Sequence, residues 1–186
     1  PLATVDTGAC IYSPSPLCPS PDLEVVQSEL EATMAIDNLS VNSNNCYIGE
    51  GCLTGYGNRR LIRFSTHIKN IGDQDYFIGS PGASPDQFIY DACHSHWHYK
   101  GYAEYILYNQ NYQPLQSGFK NGFCVLDLEC NDGGSPKFGC DNMGITAGCG
   151  DIYSSELDCQ WIDITDIDTG KYTIVFRVNW DRSPDK

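Results

Sequence analysis

No run of about twenty consecutive apolar residues occurs in the sequence, so no transmembrane span is expected. Basic residues are scarce: 11 Lys and Arg stand against 24 Asp and Glu, for a net charge of −13. Without a basic stripe to displace counterions from a phosphate backbone, nucleic acid is excluded as an expected partner. The acidity reads first as a means of staying soluble, and second as a field that draws in cationic substrates. The sequence begins PLATV, without an initiator Met or a signal-peptide pattern, which reads as a processed or excerpted product. No C-x-x-C pair is present, and Cys46 and Cys52, Cys124 and Cys130, or Cys130 and Cys140 stand too far apart for the usual zinc spacing. No internal repeat is apparent. Histidine is scarce too: there are four, and three of them fall in the single stretch CHSHWH, residues 93–98.

What is present is a folded chain. With 186 residues, 41% hydrophobic and 12% aromatic, the sequence suits one globular domain with a sizeable core. Ten cysteines, an even number, point to an oxidising compartment and to five disulfides. Asn38-Leu39-Ser40 is a glycosylation sequon, with Asn38 the acceptor. Together these favour a secreted, extracellular protein.

Residues 10–22, CIYSPSPLCPSPD, hold four prolines and two cysteines. Such a segment is extended and polyproline-like, clipped by a local Cys10–Cys18 disulfide. Residues 1–20 are therefore expected to form a Pro/Ser-rich N-terminal arm, and 21–186 the domain proper. Within the domain the clearest patterns are strands. Residues 61–69, LIRFSTHIK, alternate so that Ile62, Phe64, Thr66 and Ile68 share one face, and Arg63, Ser65 and His67 the other. Residues 101–109 and 171–178 are also strand-like, whereas 24–35 suits a helix and 131–136 a loop. The expected fold is mainly β: a disulfide-pinned, loop-rich β-sandwich with little helix.

Three histidines at alternate positions of a strand share one face. His94, His96 and His98 would then stand in a row, able to converge on one ion if the strand bends. Three imidazoles suit copper or zinc alike, and leave positions open for water, oxygen or substrate. His67, alone on a polar strand face, reads as a solvated side chain. Spacing chooses neither the metal nor the reaction.

CHSHWH, GFKNGFCVLDLEC (118–130) and GITAGCGDIYSSELDCQWIDITDIDTGKY (144–172) closely resemble the catalytic domain of lysyl oxidases. The likeness also takes in SPDLEV near residue 20 and GEGCLTGYGNRRLIRFSTHIKNIGDQDYF (49–77), and it covers the chain from about Pro21 to Asn179. The resemblance implies a copper amine oxidase whose metal is held by His94, His96 and His98. It also implies an organic cofactor, lysine tyrosylquinone, built from Lys120 in the G-x-K-x-x-F-C block and from Tyr153 between Cys149 and Cys159. Considered alone, Lys120 reads as a solvated lysine and Tyr153 as a half-buried loop tyrosine. Such a quinone is an electrophile toward primary amines, and its turnover yields aldehyde, ammonia and hydrogen peroxide. A general base is needed, and the abundance of acids leaves it unnamed. The resemblance further implies the disulfides Cys46–Cys93, Cys52–Cys159, Cys124–Cys140 and Cys130–Cys149, leaving Cys10–Cys18 to the arm.

The pattern departs from the family in three places. Asp91 stands where family domains carry a histidine three residues before the first ligand. The sequence stops at VNWDRSPDK, short of the family C-terminus, and lacks the segment that joins Asp22-Leu23 in a calcium site, which puts calcium in doubt. The arm has no family counterpart. The expected function is copper- and quinone-dependent oxidative deamination of primary amines, either lysine side chains of extracellular proteins or small amines. The alternative is a non-catalytic structural or matrix-assembly module that keeps the fold and metal site, with the arm tethering neighbours in self-association. A zinc hydrolase on the same histidines ranks last, because it has no use for Lys120 or Tyr153.

Overall fold

The computed structural model describes residues 19–92, 95–120 and 124–179, with the backbone alone at residue 96 and at 117–120. In chain order its elements are β1 (Leu23–Val25), α1 (Gln27–Thr33), β2 (Ala35–Val41), β3 (Gly57–Arg63), β4 (Thr66–Asn70), β5 (Tyr76–Gly79), β6 (Phe88–Asp91), β7 (His96–Tyr99), β8 (Ala103–Tyr108), β9 (Pro114–Lys120), β10 (Met143–Ile145), β11 (Gly150–Tyr153), β12 (Trp161–Asp163) and β13 (Thr173–Val178). They form small antiparallel sheets in the orders β1-β4-β11, β10-β5, β12-β3-β2, β13-β8-β9 and β6-β7. The chain is thus mainly β and loop-rich, with one short α-helix and two single 3-10 turns, Cys46–Ile48 and Pro85–Gln87, among the described residues. No helix there is long and apolar enough to cross a membrane. The Cys10–Cys18 pair and residues 1–18 of the expected arm lie outside the described residues.

The central strand β8 shows why the sheets close on one another. It is hydrogen-bonded on both edges, to β13 and β9, and Ala103, Glu104, Tyr105, Ile106 and Leu107 are all buried. A strand covered on both faces loses the apolar–polar alternation of a surface strand. Its Tyr105 ring meets Phe64 edge-on at 4.8 Å and Phe176 at 5.2 Å. The main core gathers Ile68, Ile78, Phe88, Tyr99, Tyr102, Met143, Ile145, Tyr153 and Ile162 around these rings. A second, smaller core joins Val41, Leu53, Leu61 and Trp161 beneath the Cys52–Cys159 disulfide.

Ile162 is fully buried on β12, opposite Ile62. Ile162→Val is expected to cost about 0.5–1.5 kcal/mol, because one methylene leaves a packed site that cannot fully collapse. Thermal unfolding should shift down by roughly 1–6 °C for a chain of this size. An unchanged melting temperature would show that the site relaxes around the loss.

Three expectations are corrected. Residues 61–69 are two strands in different sheets, parted at Phe64 and Ser65. Phe64 turns into the core, and the Ser65 amide donates to Thr33 Oγ1 (2.8 Å) instead of to a neighbouring strand. His67 is 1% exposed: α1 covers it, and both Glu29 carboxylate oxygens lie 3.1 Å from its Nδ1. The helix expected over 24–35 shrinks to Gln27–Thr33, because Leu23–Val25 pairs with Ile68–Asn70 and Ala35 starts β2.

Candidate functional site

Strand β11 carries Asp151 and Tyr153 at alternate positions, so both side chains emerge on the same side. Pairing with β4 sets Asp151 opposite Ile68 and Tyr153 opposite Thr66. The strand is locked close because Gly150 packs on the His67 ring, where a Cβ would find no room. Asp151 is 0% and Tyr153 2% exposed. The Tyr153 hydroxyl donates to Asp151 Oδ2, and the Cys124 carbonyl oxygen stands 3.3 Å from the same hydroxyl.

A file of aromatic rings leads away from this phenol. Tyr102 meets Tyr153 edge-on at 6.1 Å, and Tyr99 lies 6.5 Å from Tyr102. Tyr76 and Tyr99 bring their hydroxyl oxygens to 3.5 Å. Burial, reinforced by the Asp151 charge, pushes the pKa of Tyr153 and of Tyr102 well above the ordinary phenol value. Both phenols are therefore held protonated at any physiological pH.

The histidine segment is a hairpin arm. β6 and β7 pair so that Ile89 faces His98 and Asp91 faces His96. Ser95 adopts a left-handed φ of 59°, so the strand begins at His96 and does not continue back along one extended line as the alternation predicts. Cys93 and His94 lie outside the described residues. His98 is buried, with Nε2 3.6 Å from Asp91 Oδ2. An imidazole nitrogen beside a carboxylate is donor chemistry that suits a divalent metal, and the 3.6 Å spacing is slightly wider than the roughly 3.0–3.5 Å that two donors about 2.1 Å from one ion would span. Tyr99, next in sequence to His98, heads the aromatic file to Tyr153.

Lys120 ends β9, its backbone paired with Ala103, the residue after Tyr102. Four residues later, Cys124 supplies the carbonyl beside the Tyr153 hydroxyl. Two backbone routes thus bring the Lys120 segment to the surroundings of Tyr153. The flanking loops are pinned by Cys124–Cys140 and Cys130–Cys149, while Cys52–Cys159 holds the segment that follows Tyr153. Cys46 is also disulfide-bonded. Two further groups, Glu50 with Cys52 and Cys159, and Asp127 with Cys130 and Cys149, cluster like metal ligands. Their sulfurs are tied in disulfides and offer no thiolate, so neither is a metal site.

Asn38 is exposed on β2, open to modification. Sequence patterns alone do not single out Asp151, although the D-x-Y spacing on a strand is the local sign of a carboxylate beside Tyr153.

A family model described as lysyl oxidase matches residues 21–183. The lysyl oxidase homolog 3B of Danio rerio is 35% identical over 170 residues, covering 85% of this chain and 21% of its own length. Human lysyl oxidase homolog 3 is 34% identical over 170 residues, 85% of this chain and 22% of that protein. Human lysyl oxidase homolog 4 is 33% identical over 172 residues, 86% of this chain and 22% of that protein. The chain thus spans 21–22% of the length of these relatives.

Proposed function

The chain belongs to the lysyl oxidase family, and on that premise we propose that it is a secreted, copper- and quinone-dependent oxidase of primary amines. Its substrates are lysine side chains of extracellular proteins or small amines, and its products aldehyde, ammonia and hydrogen peroxide. His94, His96 and His98 hold the copper. Lys120 and Tyr153 furnish the lysine tyrosylquinone. Bound copper supplies, with dioxygen, the one-electron chemistry that turns a phenol into a quinone.

One observation carries the reading: a buried tyrosine hydroxyl sits against the carbonyl of Cys124, four residues after Lys120, at the end of an aromatic file that starts beside His98. A tyrosine serving only to fill the core has no need of a buried carboxylate at its hydroxyl, since burying a charge there is costly. Burial of Tyr153 excludes water from the phenol, and the disulfides on either side limit how far its loops can stray. The excess of 24 acidic over 11 basic side chains favours the approach of a cationic amine.

The test is peptide mapping after the purified protein has been loaded with copper(II) under air. Lys120 and Tyr153 should appear in one cross-linked species at the quinone mass. A parallel preparation of His98→Ala should bind copper more than about a hundredfold more weakly, beyond the roughly tenfold to hundredfold that losing an outer partner of a metal site costs. Two separate, unmodified peptides from copper-loaded protein would sink the oxidase reading and leave the structural module.

A further inference from the structure

Asp151 marks Tyr153 out but has as yet no chemical role; it is fully buried and accepts the Tyr153 hydroxyl. Around the pair stand Tyr102 and Tyr105, themselves buried phenols close enough to feel the Asp151 charge. Such a site restricts how Tyr153 can be oxidised. Loss of the proton alone would set two anions side by side in a medium of low dielectric. Loss of an electron alone would create a cation radical in an apolar core. If both leave together, the Asp151 charge is discharged and no second charge is created on the ring beside it.

We propose that Asp151 is the proton acceptor in the oxidation of Tyr153 that begins quinone formation. The phenolic O–H bond breaks and an O–H bond forms at Asp151 Oδ2. One electron leaves the ring for the oxidant, copper(II) replenished by dioxygen. A neutral phenoxyl and a neutral carboxylic acid remain. The inference rests on the proposed function and adds to it a residue chosen by geometry: the acceptor is already hydrogen-bonded to the reacting oxygen, as a general base must be.

The experiment tracks cofactor formation, not amine turnover. Copper-free wild type and Asp151→Asn are mixed with copper(II) in air between about pH 6 and 9, and the Lys120–Tyr153 cross-link is quantified against time by peptide mapping. Copper binding is measured in the same samples. Wild type should cross-link at a rate nearly independent of pH. The Asn variant should bind copper normally yet cross-link about a hundredfold more slowly at neutral pH, the usual effect of losing a positioned base. Its rate should also rise about tenfold per pH unit as hydroxide takes over. A variant rate close to wild type, or a low rate with a flat pH profile, overturns the proposal, since mere structural damage gives no such slope. Should the Asn variant fail to fold, Asp151→Glu keeps a carboxylate and is expected to keep the flat profile; a folded, copper-bound Glu variant without cross-link overturns the proposal equally. Absence of the cross-link in wild type would instead sink the oxidase reading, and this inference with it.

Discussion

Tyr153→Phe is expected to abolish the cross-linked species and, with it, amine oxidation, while leaving a folded protein. The substitution removes one oxygen atom. Without it the ring cannot become a quinone, and no other described tyrosine combines nearness to the Lys120 segment with a hydrogen-bonded carboxylate. Peroxide release on adding a primary amine should fall to the uncatalysed level, a loss on the order of 10⁶-fold or more for an enzyme of ordinary power. Stability should change much less. Asp151 loses one donor, which costs about 1–3 kcal/mol for a buried group, or roughly 2–12 °C in melting temperature. The ring itself remains packed on Tyr102. Amine oxidation surviving in the Phe variant would remove Tyr153 from the chemistry. Complete unfolding would show that the phenol is structural.

Asp163→Ala is expected to be the costliest single change for the fold, at about 3–5 kcal/mol. Its carboxylate accepts Arg59 Nε (3.1 Å) and Nη2 (2.6 Å), both the amide and the hydroxyl of Thr54, and both the amide and the hydroxyl of Thr165. Removing it strands a guanidinium whose side chain is 9% exposed and leaves the Thr donors short of an acceptor. Urea and thermal unfolding measure the loss, and a melting temperature lower by roughly 6–20 °C is expected. A change below about 1 kcal/mol would mean that Arg59 finds water or Asp166 instead.

The same carboxylate gives a pH signature. Burial acts to raise its pKa, but the Thr165 hydrogen bond, Arg59 and the backbone donors outweigh it and hold it below the ordinary carboxylate value. A depressed folded-state pKa contributes stability above the unfolded value, about 3.9, and loses it as pH falls through the lower folded value. Wild type should therefore lose stability through that acid range more steeply than Asp163→Ala. Parallel acid limbs would contradict the assignment.

Much of this protein is written in local patterns. The strands at 103–108 and 173–178 follow from runs of β-branched, aromatic and tyrosine residues, and the mainly β, disulfide-pinned character follows from strand signals and ten cysteines. Family membership is legible because several blocks occur in the right order. The candidates His94, His96, His98, Lys120 and Tyr153 are legible as spacings within those blocks. Alternation, however, reports only which residues share a face, and says nothing of what covers that face. His67 reads as solvated because its strand neighbours Arg63 and Ser65 are polar; α1 and Gly150, distant in sequence, bury it. Likewise the strand over 61–69 breaks because Phe64 is drawn to Tyr105 and Phe176, contacts no window of nine residues contains. The Arg59–Asp163 pair spans 104 positions, and the file from Tyr99 through Tyr102 to Tyr153 crosses two sheets. By itself the sequence determined the family, the strand character and which side chains could carry chemistry. Only the tertiary structure decided which of them are buried and which carboxylate meets the phenol, because burial and hydrogen-bond partners are set by chain segments that meet only when the sheets close.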